Sequence, residues 1–200
     1  INQKIIQLPK INFMKKSRQF GETVNGYNIP VLNEREVRAA AGILYFFTFL
    51  SLMFILFKGN FLMIKYVIPV FFIDFLIRVL VSPKYSPTLI IGRLIVSRQT
   101  PEYVGAAQKK FAWIIGIVLS GAMLVLMVII NSFSIITGLI CLVCLIFLFF
   151  EAVFGICLGC LFYNMIYKGK AQHCPGEICE VKDKHEIQKV TWSQIIVVLV

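Results

Sequence analysis

The sequence predicts an all-α membrane protein in which four transmembrane helices form two antiparallel hairpins, and two observations lead to this prediction. The first is composition: 58% of the 200 residues are hydrophobic and only 15% are charged, and the mean hydropathy is +0.83. A soluble domain has roughly a quarter of its residues charged. The second is that the apolar residues gather in four long runs. We therefore expect a lipid bilayer to surround much of the chain.

Each of the four runs is long enough to cross a hydrocarbon core of about 30 Å, which takes about 20 helical residues. The runs cover residues 39–57, 61–81, 111–130 and 135–167. Only "KGN" separates the first run from the second, and only "NSFS" separates the third from the fourth. Connections this short make neighbouring helices antiparallel, so two hairpins are predicted.

The segments outside these runs are more polar. Residues 1–38 form a basic N-terminal segment without the apolar stretch of a cleavable signal peptide. Within it, Asn33 is expected to act as a helix N-cap, with Glu36 three positions on as a variant of the capping box. Residues 82–110 join the hairpins, and their "SPKYSP" turn followed by a short apolar stretch with two arginines predicts an interfacial helix. Residues 168–189 form a polar tail. Residues 190–200 predict the start of a fifth transmembrane helix or, alternatively, a short tail that rests on the membrane.

The distribution of basic residues predicts the orientation in the membrane. The N-terminal segment holds seven Lys and Arg residues, the 82–110 loop five and the chain from residue 168 onward another five, which is 17 of the 20. Loops rich in Lys and Arg stay on the cytoplasmic side. We therefore expect the N-terminus, the middle loop and the tail in the cytoplasm. Because the basic residues flank apolar runs, the net charge of +10 does not indicate nucleic acid as a partner.

Three ionisable side chains fall deep inside the predicted helices: Asp74 and Arg78 in the second and Glu151 in the fourth. A charge at bilayer depth costs about 2.5 kcal/mol or more, so such groups are normally paired. Counted from the outer ends of their helices, all three reach the same cytoplasm-facing layer. We expect Arg78 to lie between the two acids as an ionic clasp that holds helices two and four in register. The alternatives are a proton relay or anion site, and an arginine that extends toward lipid phosphates.

Gly155 and Gly159 share a stripe with Glu151 if the fourth run forms one regular helix. A stripe of small residues lets a second helix approach closely, so these glycines predict a helix-packing surface. Cys157 and Cys160 fall on a different stripe, about 140° or more away. Glu151 is therefore not expected to be the direct base for either thiol.

The Cys-x-x-Cys pair, Cys157 and Cys160, is the candidate chemical site. Two thiols at this spacing can form a disulfide, carry a persulfide or bind a metal. A position toward the C-terminus of one long helix disfavours a reactive thiolate, because the helix dipole is negative there. The alternative is that the glycines at 155 and 159 break the helix, which changes both the geometry and the dipole. The cytoplasm is also reducing, so a resting disulfide is not expected. The alternative is that the cysteines only pack, which is the role expected of Cys141 and Cys144 deeper in the same run.

The polar tail contains a second pair of thiols, Cys174 and Cys179, in "HCPGEIC". A zinc site needs four ligands at suitable spacing, and two cysteines with scattered histidines match that requirement poorly. No metal site is predicted, and the sequence identifies no cofactor. A solvated loop with two free thiols is the simplest interpretation. The alternative is a small disulfide that passes electrons to Cys157 and Cys160.

Three motifs occur in order along the chain: "VLNEREVRAAAG" before the first helix, "DFLIRVLVSPKYSP" at the end of the second and "EAVFGICLGCLFYN" in the fourth. Together they resemble the DUF4395 family, an uncharacterised group of bacterial membrane proteins, over residues 28–167. The resemblance implies a bacterial inner-membrane location. It also implies a thioredoxin-like or rhodanese-type sulfurtransferase partner, since such proteins are often encoded beside members of the family. The residues that it places at characteristic positions are Asp74, Arg78, Glu151, Gly155, Cys157 and Cys160.

These features predict a thiol-redox or sulfur-relay protein of the membrane, with Cys157 and Cys160 acting at the cytoplasmic face and Asp74, Arg78 and Glu151 holding the helices in register. The alternative is a non-enzymatic scaffold or assembly factor whose cysteines only pack. A small-solute carrier fits less well, because the first and third helices offer almost no polar lining. Whether the protein is an enzyme is not decided by the sequence.

Overall fold

The computed structural model describes residues 20–24 and 29–166, and within them most of the chain is helical. The elements are β1 (Val31–Asn33), α1 (Glu34–Lys58), α2 (Leu62–Leu76), α3 (Pro87–Ile95), β2 (Tyr103–Gly105), α4 (Ala106–Met123), α5 (Ile135–Phe149) and α6 (Leu158–Ile166). A 3-10 turn, Pro83–Tyr85, precedes α3. π-helical turns extend three of the α-helices: Ile77–Val81 follows α2, Leu124–Ile129 follows α4, and Phe150–Phe154 follows α5. The tail at 168–189 with Cys174 and Cys179, and the predicted fifth helix at 190–200, lie outside the described residues.

Three helices are long and apolar enough to cross a membrane: Glu34–Lys58, Ala106–Ile129 and Ile135–Phe154. They correspond to the first, third and fourth predicted runs. The second run is helical from Leu62 to Val81, but its three charged residues set it apart from the other three. Large apolar side chains on the helices face outward, as Phe57 does with 82% of its surface exposed. Such a surface is typical of a protein that lipid chains surround.

Local sequence signals set the ends of the helices. Helix α1 begins after Asn33, whose side-chain oxygen accepts a hydrogen bond from the Arg35 amide, and it ends at Gly59 in the left-handed conformation (φ 58°). Helix α5 begins after Ser134, which forms a capping box with Thr137. These caps satisfy backbone groups that a helix end leaves unpaired. The turns between α1 and α2 and between α4 and α5 therefore fall where the sequence predicts them.

Helix α3 packs across the N-terminal part of α1. Gly92 permits this contact, because a Cβ at this position would lie 2.7 Å from the Glu36 carbonyl oxygen. Arg93 donates two hydrogen bonds to the Glu36 carboxylate, at 3.0 and 3.1 Å, and they raise the pKa of Arg93 above its usual value. The opposite side of α3 exposes Leu94 and Ile95. The helix thus has a polar side fixed to the bundle and an apolar side left open.

Strands β1 and β2 pair antiparallel, with Val31 opposite Gly105 and Asn33 opposite Tyr103. The all-α prediction missed this small sheet, because three-residue strands give no detectable period in a sequence. Strand β1 runs directly into α1 and β2 runs directly into α4. The pairing therefore holds the first turns of these two helices side by side.

The fourth predicted helix is not continuous. Its first part ends in the π-helical turn Phe150–Phe154, after which Gly155 takes a left-handed conformation (φ 67°). A separate helix, α6, then begins at Leu158 and packs against α4. Glycine adopts positive φ without a steric cost, so the interruption falls at the residue type best suited to it.

Candidate thiol and charge site

The two candidate thiols lie at the beginning of α6, and they are joined in a disulfide with their Cα atoms 5.1 Å apart. Cys157 directly precedes the helix, and its carbonyl oxygen accepts hydrogen bonds from the amides of Cys160 and Leu161. The Cys160 amide also points at the Cys157 sulfur, 3.3 Å away. Both cysteines are half-buried. The pair therefore occupies the first turn of a helix.

This position agrees with the alternative in which a glycine breaks the helix. In one helix through residues 135–167, the thiols would lie toward the negative C-terminal end. Because Gly155 interrupts the helix, Cys157 lies at the positive N-terminal end of α6 instead. Helix N-termini favour thiolates and lower the cost of ionising a cysteine. The expectation that the pair carries no resting disulfide is also corrected, since the sulfurs are bonded.

A buried charge cluster made of Lys109, Glu34 and Glu151 lies between α1, α4 and the end of α5. The Lys109 ammonium nitrogen lies 2.7 Å from Glu34 Oε2 and 2.5 Å from Glu151 Oε1. The three side chains are 3%, 5% and 14% exposed, respectively. The pairing of β1 with β2 explains the first of these contacts, because it places the start of α1 beside the start of α4.

The predicted clasp through Arg78 needs correction. Arg78 Nε donates to Asp74 Oδ2 at 2.8 Å, and a guanidinium NH2 group donates to Thr88 Oγ1 at 2.5 Å. Ser86 completes the group by donating to Asp74 Oδ1 at 2.7 Å. Asp74 and Arg78 are each 2% exposed, so the pair is fully enclosed. Glu151 is held by Lys109 instead, and thus α4, rather than α2, provides its cation.

Arg78 is also stabilised by two aromatic rings. Its guanidinium carbon lies 4.6 Å from the Phe75 ring centroid and 5.2 Å from that of Trp113. Aromatic faces attract cations, and more strongly where water is excluded. The hydrogen-bond partners of Arg78 are Asp74 of α2, Ser86 just before α3 and Thr88 within α3. This second charge group, Asp74 with Arg78, therefore fixes the turn at residues 82–86.

The sequence argument missed Lys109 and Glu34 because it placed both outside the helices. The predicted runs begin at residues 39 and 111, whereas α1 and α4 begin at Glu34 and Ala106. The N-cap predicted at Asn33 is confirmed and starts α1 at Glu34, but the predicted apolar run begins five residues later and leaves Glu34 out of the charged layer. No comparable signal marks the start of α4, since Gly105 makes no side-chain cap.

A cavity of about 60 Å³ connects the thiol pair to the buried charges. Its polar lining comes from Arg78, Lys109, Glu151 and Cys157, and its apolar lining includes Trp113. The cavity lies among α1, α2, α4, α5 and α6, which all contribute lining residues. Cys157 and Glu151, which would lie on different faces of one regular helix, therefore line the same cavity.

The two predicted packing glycines have different surroundings. A Cβ added to Gly159 would lie 2.6 Å from the Ala112 Cβ, so this glycine lies directly against α4. Gly155 instead ends the π-helical turn, and a Cβ there would lie 3.0 Å from the Arg38 guanidinium carbon. The single stripe assumed from the sequence is thus replaced by one packing contact and one helix break.

Two further cysteines, Cys141 and Cys144, are free and lie in α5. Cys141 is buried among apolar residues of α2 and α4, and Cys144 lines the cavity. Within residues 20–24 and 29–166, no group of three or more His, Cys, Asp or Glu side chains is arranged to hold a metal ion.

Comparison with known proteins identifies one family. The family model described as "Domain of unknown function (DUF4395)" matches residues 32–168, well over half of the chain. Neither the curated proteins nor the solved structures include a match. The matched range includes the thiol pair and both buried charge groups. The chain belongs to the DUF4395 family.

Proposed function

We propose that the protein exchanges thiols and disulfides at the cytoplasmic face of the bacterial inner membrane, with Cys157 and Cys160 as the redox pair. The observation that carries this proposal is the position of the pair in the first turn of α6. A helix N-terminus stabilises the thiolate that exchange requires. The cavity beside Cys157 adds charged groups to an otherwise apolar surrounding.

The proposed topology has four crossings in two hairpins, with α2 and its π-helical extension as the fourth. Lys65 donates a hydrogen bond to Asn131 Oδ1 at 2.6 Å, which supports turns α1–α2 and α4–α5 at the same end of the bundle. The buried charges of Asp74 and Arg78 neutralise each other, so α2 can cross despite them. The positive charge of the basic segments supports a cytoplasmic location for the opposite end, which carries the middle loop, and we propose the same side for the N-terminal segment and the tail.

In the reduced state, the Cys157 thiolate attacks one sulfur of a partner's disulfide. A mixed disulfide forms, and the first partner sulfur leaves as a thiolate. Cys160 then loses its proton and attacks the Cys157 sulfur, which releases the second partner thiolate and forms the Cys157–Cys160 disulfide. The partner gains two electrons and the two protons that the cysteines release, and the reverse sequence reduces the pair.

A thioredoxin-like protein is the proposed partner, because its own dithiol and disulfide match both directions of this exchange. In the sulfur-relay form of the proposal, a sulfurtransferase supplies a persulfide to the same site. The scaffold alternative requires no reaction of Cys157 or Cys160, so it predicts thiols that do not react in the folded protein.

The test labels the protein in native membranes with a maleimide that adds measurable mass. The tail thiols Cys174 and Cys179 are first replaced by Ser, and the free thiols Cys141 and Cys144 by Ala, to remove their signal. We expect no labelling of Cys157 and Cys160 before reduction and two labels after it. The Cys157→Ser and Cys160→Ser variants should each show one label without reductant, because the remaining thiol has lost its partner.

A second measurement equilibrates the same membranes with glutathione buffers of known potential. The oxidised fraction should follow the buffer as a two-electron couple. Thiols that stay unlabelled until the protein is denatured, with no oxidised form at any potential, would contradict the exchange function and favour the scaffold.

A further inference from the structure

We infer that Glu151, held by Lys109, which Glu34 also binds, accepts the proton that the Cys157 thiol releases when it becomes a thiolate. This inference rests on the proposed exchange reaction and assigns a role to the buried charge cluster in that reaction. The proton crosses the cavity of about 60 Å³ that Glu151 and Cys157 both line. A water molecule needs roughly 10–15 Å³ of such volume, so the cavity has room for water to carry the proton.

The helix interruption allows Glu151 and Cys157 to line the same cavity. In one regular helix, Glu151 and Cys157 would point to different sides, and the carboxylate could not serve the thiol. The π-helical turn Phe150–Phe154 and the left-handed Gly155 separate the two residues into different helical segments. Helix α6 then packs against α4 through Gly159, which brings Cys157 to the side of the cavity where Lys109 lies.

The charge count of the cluster favours proton uptake. Two carboxylates, Glu34 and Glu151, share one ammonium, Lys109, so the fully ionised group carries one net negative charge. Burial makes an unbalanced charge costly, and one proton removes it. Glu34 Oε2 is buried and accepts no hydrogen bond in spite of its 2.7 Å distance to the ammonium nitrogen. This unsatisfied oxygen belongs to Glu34, so it adds to the cost of keeping a second negative charge in the cluster.

The other charged groups near the cluster do not remove this imbalance. Arg78 of α2 feels the charge of Glu151, but its own charge is balanced by Asp74. Arg38 of α1 acts on Glu34 from the surface and donates a hydrogen bond to the Val153 carbonyl at 3.3 Å. A further titratable group that lines the cavity is the thiol Cys144 of α5.

The step is a proton transfer with no change in redox state. The S–H bond of Cys157 breaks, its electron pair stays on sulfur, and the proton binds a carboxylate oxygen of Glu151. The resulting thiolate lies at the N-terminus of α6, and the cluster becomes neutral. When the disulfide is reduced again, the proton returns from the carboxyl group to the sulfur.

The test measures the rate at which iodoacetamide alkylates Cys157 between pH 5.5 and 10. It uses the full chain with Cys160→Ser in lipid nanodiscs, and mass spectrometry reports the Cys157 peptide. With Glu151 present the proton stays within the protein, so we expect a rate that is nearly independent of pH over a range below the ordinary thiol pKa of about 8.5. Glu151→Gln removes the acceptor, so the rate should instead rise about tenfold per pH unit up to the thiol pKa. The rate at pH 10 should stay unchanged, because hydroxide removes the proton there.

Glu34→Gln is the second variant, because it leaves Glu151 in place and removes the excess negative charge. It should lower the pH-independent rate, because Glu151 takes up a proton less readily without the second negative charge, and leave the rate at pH 10 intact. Glu102→Gln is the matched control, since Glu102 pairs with Arg35 away from the cavity and its loss should change nothing. A rate that already rises about tenfold per pH unit with Glu151 present, or a Glu151→Gln profile of unchanged shape, would overturn the proton transfer while leaving the exchange function standing. A Cys157 that never reacts, in any variant, would overturn the exchange function and the proton transfer together.

Discussion

Gly159 of α6 and Ala112 of α4 touch so closely that a Cβ on the glycine would lie 2.6 Å from the Ala112 Cβ and 2.7 Å from its Cα. Lys109 lies one turn before Ala112 on α4, and Cys157 lies two residues before Gly159. This contact therefore sets the position of the thiol pair relative to the charge cluster. A larger residue at position 159 would meet the Ala112 backbone, which cannot rotate away as a flexible side chain can.

Replacing Gly159 by Ala should displace α6 and destabilise the protein by about 1–3 kcal/mol, the usual cost of overpacking. The free energy of unfolding, measured by SDS titration in mixed micelles, checks this value. Gly138→Ala is the matched control, because a Cβ at this α5 position meets nothing within 4 Å and Ala favours helix. Equal stabilities of the two variants would contradict the close contact. Ala112→Gly should restore only part of the loss, since the Cα remains.

Replacing Gly155 by Ala should cost about 1–2 kcal/mol, because the alanine Cβ disfavours the left-handed conformation. Gly59→Ala tests the same backbone strain without a steric contact, since that glycine has φ 58° and no neighbour lies within 4 Å of an added Cβ. The two variants should lose similar stability, but only Gly155→Ala should alter the thiols. We expect less disulfide in its membranes, because a residue that favours continued helix removes Cys157 from a helix N-terminus. Gly155→Asn should behave more like wild type, because Asn tolerates positive φ.

The sequence predicts those parts of this fold that depend on short-range pattern. The apolar runs locate the long helices, and the spacing of Asp74 and Arg78 predicts their contact, because residues four apart meet on a helix face. The cluster at Lys109 depends on a contact between residues 75 positions apart, which a two-stranded sheet creates. Neither the sheet nor its register leaves a period in the sequence.

The helix break shows a second limit of sequence interpretation. A glycine in an apolar run fits close packing and a helix break equally well, and only the surroundings decide between them. Gly159 faces the backbone of another helix, whereas Gly155 adopts positive φ. The chemical interpretation of the thiols changes with this one assignment, because it determines which end of a helix they occupy.

Removing one member of the Asp74–Arg78 pair should be strongly destabilising. Asp74→Asn leaves the enclosed guanidinium without its counter-ion, and breaking a buried pair in this way costs about 3–5 kcal/mol. The double variant Asp74→Asn with Arg78→Met should lose less than Asp74→Asn alone, because no unpaired charge remains. SDS titration of wild type, Asp74→Asn and the double variant checks this order of stability. The control is Glu22→Gln, which breaks the exposed pair with Lys84 and should cost about 0–1 kcal/mol.

Exchanging charges distinguishes the observed partner of Glu151 from the one predicted by the sequence. Glu151→Lys alone places two ammonium groups beside Glu34 and should destabilise the protein by several kcal/mol. Adding Lys109→Glu restores two carboxylates and one ammonium in the same space, so part of the lost stability should return.

Adding Arg78→Glu to Glu151→Lys should instead make the protein less stable than Glu151→Lys alone. Arg78 does not contact Glu151, and a glutamate in its place would lie against Asp74, which already occupies that pocket. The measurement is the coupling free energy from the two double-mutant cycles, since contacting residues couple and distant ones add. A larger rescue by Arg78→Glu than by Lys109→Glu would mean that α2, and not α4, holds the carboxylate of Glu151. The proton acceptor beside Cys157 would then lack the ammonium that positions it.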